Sequence, residues 1–232
     1  MINSTSLRIY ITLIALAGTV TFILGLVHPV INDPAGFAAL LGVAVITSRL
    51  KVKLPGMKAN MSVSLPFLLL ASAQMQLFPT LLIAVAATVA QSLNFKTGVK
   101  PVQMFFNVST VLVAITAAYY LQHQPGLVNA HGVVLLLLGA AAYLVTNTVL
   151  VAGVVSLSSD QSVVKAWSSI FALTYLYYVL SAGMAAVVLG FGIRWTVMAL
   201  TLTIVYGAYR SFELYFAAMS ALMKPQMVSA GD

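Results

Sequence analysis

The ten residues Arg49-Leu-Lys-Val-Lys-Leu-Pro-Gly-Met-Lys58 decide how the rest of the sequence is interpreted. They hold four of the eleven lysines and arginines of the 232-residue chain, and runs almost free of charge lie on both sides. Short cytoplasmic loops of multi-span membrane proteins carry an excess of Lys and Arg. We therefore predict that residues 49–61 form a basic cytoplasmic loop, which orients every other segment.

The overall composition indicates an integral membrane protein. Hydrophobic residues make up 61% of the chain and charged residues only 6%, whereas a soluble domain carries about 25% charged residues. The net charge of +7 is spread over short loops, which favours contact with the bilayer and argues against nucleic acid. With no cysteine in the sequence, disulfides, thiolate metal sites and a cysteine nucleophile are excluded.

Hydropathy predicts one all-α membrane bundle that occupies the whole chain, residues 1–232. A full span needs about 20 apolar residues, and the second, third and fourth candidates are shorter than this. These three either cross in a sheltered place or include a helical hairpin that enters the membrane part-way, so six or seven spans are the alternative to eight. The eight candidates are 7–27, 35–50, 62–78, 80–95, 102–121, 132–157, 165–190 and 195–221.

The distribution of charge predicts the orientation of these segments. With the N-terminus in the cytoplasm, every cation of a loop or terminus falls on the cytoplasmic side except Arg194. The connections 28–34 and 122–131, which contain no Lys or Arg, then lie outside. Eight spans return the tail at 222–232 to the cytoplasm. We expect a multi-pass protein of a bacterial inner membrane.

The basic loop itself has a turn signal. Pro55-Gly56 lies between two stretches that alternate with a period of two residues, 51–54 and 61–65. This pattern fits a short hairpin on the membrane surface. It fits equally well an irregular loop whose lysines reach to lipid head groups.

Ionisable groups are missing from the middle of the predicted spans. No Asp, Glu, Lys or His lies at the midplane of any span, although proton-coupled transporters and acid–base enzymes normally place such groups there. Arg210 and Glu213, three residues apart on the last segment, predict an ion pair at the cytoplasmic membrane edge. His28, His123 and His131 fall on outer loops, where we expect them to be solvated, so no metal or cofactor is predicted.

Uncharged polar side chains within the spans are the better candidates for a functional site. Each must find a partner in hydrocarbon, and hydrogen bonding between helices is the default expectation. The alternative is a pocket for a small, largely apolar ligand with aromatic walls and a few amide contacts. The candidate lining is Asn107, Asn147, Thr174, Tyr175 and Tyr178.

Several short runs resemble the N-terminal multi-span region of bacterial signalling proteins of the HD-GYP phosphodiesterase and diguanylate cyclase classes. The resemblance covers residues 35–215 and implies a membrane-embedded sensory or anchoring module. No HD-GYP or GGDEF residues occur in the sequence, so their catalysis is not implied. The runs are Lys51-x-Lys-Leu-Pro55, Ser62-x-Ser-x-Pro-Phe67-Leu-Leu-Leu-Ala71, Lys100-Pro101 with Phe106-Asn107, Tyr143 with Asn147-Thr148, and Ala208-Tyr-Arg210-Ser.

A weaker similarity is to the substrate-binding S-components of ECF-type vitamin transporters. Those proteins are expected to keep the proline-containing loop outside the cell, whereas charge predicts it inside here. The sequence therefore leads to a non-enzymatic membrane sensor or anchor that binds a small apolar ligand or a cytoplasmic or membrane protein partner. A transporter or its substrate-binding subunit is the alternative, and a membrane enzyme acting on lipid or isoprenoid is the third reading.

Overall fold

The computed structural model describes residues 4–53, 60–93, 100–127, 131–159 and 161–191, together with residues 202, 206–207, 209–215 and 217–218. The tail at 222–232, Arg194 and the predicted turn Pro55-Gly56 lie outside the described residues. The predicted orientation rests on the distribution of charge in the sequence.

Helices occupy the first seven predicted segments, so the all-helical fold class is confirmed, while the number of spans stays a prediction. Most of the eighth segment lies outside the described residues, but residues 209–215 are helical. Leu202, Tyr209 and Phe212 of this segment pack against the core of the bundle. The helices are α1 (Ser4–Gly25), α2 (Pro34–Ser48), α3 (Leu65–Gln74), α4 (Leu77–Ser92), α5 (Pro101–Gln122), α6 (Gly132–Ser159) and α7 (Val163–Phe191).

The described helices fall into a long and a short group. Four are long and apolar enough to cross a membrane, namely α1, α5, α6 and α7. The helices α2, α3 and α4 have 15, 10 and 16 residues. At 1.5 Å per residue α3 is only about 15 Å long, half the thickness of the hydrocarbon layer at about 30 Å. The short helices must therefore be sheltered by the long ones if they lie at membrane depth.

The short helix α3 forms the centre of the core. Every side chain from Leu65 to Ser72 is buried, and Phe67, Leu69 and Leu70 are among the largest fully buried side chains. It contacts α2, α4, α5, α6 and α7. A helix that is apolar on all sides has no face to expose to water, and here the surrounding helices cover residues 65–72 on every side and leave only the last turn partly open.

The connection between α3 and α4 differs from the predicted one. The sequence placed a tight turn at Phe78-Pro79, but α3 ends at Gln74 and α4 begins at Leu77. Pro79 is tolerated in the first turn of α4 because the N–H groups there have no partner within the helix. The chain reverses at 75–76, and the hydroxyl of Thr80 donates to the Ala71 carbonyl at 3.0 Å.

The basic loop contains the hairpin that period-two alternation suggested. Strand β1 (Lys51–Lys53) pairs antiparallel with strand β2 (Asn60–Ser62). Lys51 lies opposite Ser62, and Lys53 lies opposite Asn60. Since Ser62 is followed almost at once by α3, the hairpin is joined directly to the buried centre of the bundle.

Helix α1 lies at the edge of the bundle. In its most apolar stretch only 11% of the residues are buried, and Leu13, Leu16 and Val20 are among the exposed side chains. It packs tightly against α5 at Gly18, where a Cβ would collide with the backbone and side chain of Ser109. A small residue at this point lets the two helices pack closely in lipid.

Candidate functional site

Two neighbouring helices bring tyrosine and asparagine side chains together. Asn147 on α6 donates from Nδ2 to the hydroxyl of Tyr178 on α7 at 3.0 Å. The ring centroid of Tyr178 lies 5.8 Å from that of Tyr143 and 5.6 Å from that of Tyr177. All three tyrosines are buried, and Asn147 is partly buried. We call these four residues the tyrosine cluster.

The hydroxyl of Tyr177 connects this cluster to the basic hairpin and to the start of α3. It donates to the Ser62 carbonyl at 2.6 Å, and it accepts from the Leu65 N–H at 3.3 Å. The first N–H groups of a helix have no partner within it, and the N-cap residue Ser64 supplies no side-chain bond here. Tyr177, which lies on α7, therefore caps the start of α3.

The predicted pocket residues are only partly brought together. Asn147 and Tyr178 are in direct contact. Thr174 is buried one turn before Tyr178, but its hydroxyl donates to the Ile170 carbonyl of its own helix. Asn107 is partly buried on α5, and among the described residues no hydrogen bond joins it to the cluster.

Tyr175 was also assigned to the pocket lining, and its side chain lies apart from the tyrosine cluster. Its side chain is 48% exposed on the outer side of α7 and stacks on Phe171, with ring centroids 6.2 Å apart. A step of three residues along an α-helix turns the side chain by about 300°, so Tyr175 and Tyr178 share a face only approximately. Of these two tyrosines, it is Tyr178 that bonds to Asn147 on α6.

Tyr143 belongs to the cluster but was not among the predicted lining residues, and the capping role of Tyr177 was not predicted. Tyr143 lies four residues before Asn147, which places both on one face of α6, so spacing alone would have suggested it. No local sequence pattern of this kind predicts the role of Tyr177. Its partners, Ser62 and Leu65, are 115 and 112 residues away in the chain.

The default expectation of hydrogen bonding between helices is wrong for most buried hydroxyls. They donate instead to the carbonyl four residues earlier in their own helix, which satisfies the donor without any partner helix. The bonds that do join different helices are few and include Thr80 to Ala71, Ser72 to Gln122, and Trp167 to Thr148. The hydroxyls bonded within their own helix include those of Thr47, Thr88, Thr110, Thr148, Thr174 and Ser181.

Arg49, the first cation of the basic loop, closes the end of α4. Its Nη1 donates to the carbonyls of Ala90 at 2.6 Å and Leu93 at 3.0 Å. A cation at a helix C-terminus satisfies unpaired carbonyls and interacts favourably with the helix dipole. Partial burial and, to a smaller extent, the charge of Arg49 lower the pKa of Lys51.

The remaining ionisable groups form no second centre in the described parts of the chain. Arg210 and Glu213 form the expected ion pair, with both side chains about half exposed. Pairs this exposed contribute little to stability. No group of three or more His, Asp or Glu that could hold a metal ion occurs among the described residues.

Comparison of the chain with protein-family models, with curated proteins and with solved structures finds no match. The assignment of a function therefore rests on the sequence and on the geometry of the tyrosine cluster.

Replacing Tyr177 with Phe should destabilise the bundle by about 1–3 kcal/mol, because the Ser62 carbonyl and the Leu65 N–H both lose their partner. The matched control is Tyr175→Phe on the same helix, where the half-exposed hydroxyl should change the free energy of unfolding by less than about 0.5 kcal/mol. Reversible unfolding in bicelles measures both. Equal effects of the two substitutions would contradict the capping role of Tyr177.

Proposed function

We propose that this protein is a non-enzymatic membrane sensor or anchor that binds a small, largely apolar ligand at the tyrosine cluster. The observation that supports this most directly is the pair of contacts made by adjacent residues of α7. Tyr178 bonds to Asn147, while Tyr177 bonds to Ser62 at the end of the hairpin and to Leu65 at the start of α3.

Tyr177 and Tyr178 are adjacent on α7, so they connect the proposed ligand site directly to the hairpin. A ligand that competes for the Asn147 amide must displace or turn the Tyr178 ring. The Tyr177 ring contacts the Tyr178 ring edge-on at 5.6 Å, so such a movement changes the packing of the residue that holds the hairpin. A change in ligand occupancy would then reach the basic hairpin, where we expect a cytoplasmic partner to bind.

The chemistry of the cluster defines the class of ligand. Aromatic rings and aliphatic neighbours favour an apolar body, and one amide and the phenol hydroxyls provide a small number of orienting hydrogen bonds. A strongly charged ligand would be costly here, because no opposite charge lies among the cluster residues. We therefore expect a neutral molecule with one or two polar atoms.

The membrane arrangement that accompanies this proposal has eight spans with both termini in the cytoplasm of a bacterial inner membrane. The distribution of lysines and arginines supports it. Arg49 adds support, because its bonds to Ala90 and Leu93 bring the C-terminal ends of α2 and α4 to the same side. This is the side on which the basic hairpin begins.

The resemblance to the membrane regions of HD-GYP and diguanylate cyclase proteins fits the same proposal. Two of the resembling runs, those at Lys51 and Ser62, contribute to the hairpin and to α3, and a third includes Tyr143 and Asn147. The proposed partner is a cytoplasmic or membrane protein whose binding depends on the position of the hairpin. A transporter subunit would bind its ligand without moving this surface.

Native mass spectrometry of the gently purified protein, followed by hydrogen exchange, tests the proposed function. We expect a small molecule bound at one copy per chain, lost in Asn147→Leu and retained in Tyr175→Phe. Its binding should alter the hydrogen exchange of residues 51–53 and 60–62. Retention of the molecule in Asn147→Leu would contradict the site, and binding without any change in hairpin exchange would favour the transporter alternative.

The absence of cysteine makes the orientation easy to test. Single cysteines are introduced in place of Lys100, at the start of α5, and Gln124, beyond its end, and intact spheroplasts are treated with a membrane-impermeant maleimide. We expect Gln124→Cys to be labelled directly and Lys100→Cys only after permeabilisation. The reverse pattern would overturn the proposed orientation.

A further inference from the structure

Helix α2 is short, yet one of its sides is exposed and ends at a cation. Gly42, Ile46 and Arg49 follow one another at spacings of four and three residues, so they share one face of the helix. All three are exposed, Ile46 to 62%, and a Cβ added at Gly42 would meet no atom within 4 Å. This face is therefore an open apolar path that leads along α2 to the guanidinium group of Arg49.

Lys51 adds a second positive charge close to Arg49. It is the first residue of β1 and is only partly exposed. Burial and, to a smaller extent, the charge of Arg49 lower the pKa of Lys51, so the two cations are near enough to repel each other. The sequence has no Asp or Glu between Asp33 and Asp160, and Asp33 lies at the opposite end of α2. An anion beside the two cations would reduce their repulsion.

The lengths of α2 and α4 bring these cations within reach of lipid head groups. With 15 and 16 residues, the helices are about 22 and 24 Å long, less than the hydrocarbon thickness of about 30 Å. They end together, because Arg49 bonds to the carbonyls of Ala90 and Leu93. Beside helices this short the bilayer becomes thinner, and in the proposed orientation the head groups of the cytoplasmic leaflet then approach Arg49.

We propose that the exposed face of α2 binds one anionic phospholipid of the cytoplasmic leaflet, with an acyl chain along Gly42 and Ile46 and the phosphate group at Arg49 and Lys51. Arginine suits the geometry of a phosphate, and lysine adds a point charge. The ammonium group of a zwitterionic lipid cancels part of this attraction, so the site selects anionic lipids. Free phosphate or an acidic protein would use the cations but not the apolar path, which favours a lipid.

This site goes beyond the proposed function and is separate from the tyrosine cluster. It lies on the outer surface of α2, whereas the cluster is formed by side chains of α6 and α7. A bound lipid would hold the hairpin where β1 begins, at Lys51. The inference does not depend on a ligand being bound at the tyrosine cluster.

Native mass spectrometry of the protein, gently extracted from vesicles of equal parts phosphatidylglycerol and phosphatidylethanolamine, tests the proposal. We expect one phosphatidylglycerol per chain to be retained in preference to phosphatidylethanolamine. Lys51→Gln should lower this preference about fivefold, the effect of one cation near an anionic surface. Arg49→Gln should lower it at least as much, but it also removes a partner of Ala90 and Leu93, so Lys51→Gln is the deciding variant.

The matched control is Lys165→Gln, which removes the same charge from an exposed position at the start of α7 and should leave the preference unchanged. Asn147→Leu should also retain the lipid, so failure at the tyrosine cluster stays distinguishable from failure at this site. An equal loss in Lys165→Gln and Lys51→Gln would overturn the proposal, because it would show only a general attraction between cations and the membrane. No preference, a preference that survives Lys51→Gln, or displacement of the lipid by excess inorganic phosphate would also overturn it.

Discussion

The structure depends on enclosing a helix that is too short to cross a membrane. Helix α3 has ten residues, and a helix that ends inside hydrocarbon leaves polar backbone groups with no water to bind. The protein meets this constraint by surrounding α3 with five other helices and by providing side chains from elsewhere in the chain at both of its ends. The four long helices supply the lipid-facing shell, and the buried centre is organised by the short ones.

The position of the tyrosine cluster follows from the way the start of α3 is satisfied. At the start, Tyr177 bonds to Leu65 and to the last residue of the hairpin, which places the tyrosine cluster beside a basic surface. At the other end, the Thr80 hydroxyl donates to the Ala71 carbonyl. The same polar groups that close a buried helix are those with which a ligand could compete. In the proposed function, structural and functional roles are combined in a few residues, so substitutions there need matched controls on the same helix.

The sequence predicted the positions of the helices well, because long apolar runs and charged connections mark them directly. It also placed Asn147 and Tyr178, which are in contact, in one candidate pocket and offered the hairpin as one of two readings. It could not predict that α3 is the centre of the core. In a soluble protein a buried helix is distinguished by its lack of polar residues, whereas in a membrane the lipid-facing helices lack them too. Leu69 in the core and Leu13 on the lipid-facing side of α1 are therefore indistinguishable by hydropathy.

The differences between the sequence predictions and the structure at Tyr175, Phe78-Pro79 and the buried hydroxyls have related causes. Each depends on a choice between alternatives that are equivalent locally, and tertiary packing decides it. Tyr175 and Tyr178 are both tyrosines of one helix, and the position of α6 selects between them. Proline is compatible with a turn and with a first helical turn, and threonine can bond to its own helix or to a neighbour. The partners of Tyr177 lie more than 100 residues away, beyond any local pattern.

The measurement that tests the enclosure of α3 most directly compares two leucine-to-alanine substitutions by reversible unfolding in bicelles. Leu69 is fully buried in α3, and Leu13 is 58% exposed on α1. We predict that Leu69→Ala lowers the free energy of unfolding by about 2 kcal/mol or more, because it leaves a cavity in a packed core. Leu13→Ala should change it by less than about 0.5 kcal/mol, since lipid fills the space. Equal and small effects would contradict the account, because they would mean that α3 faces lipid.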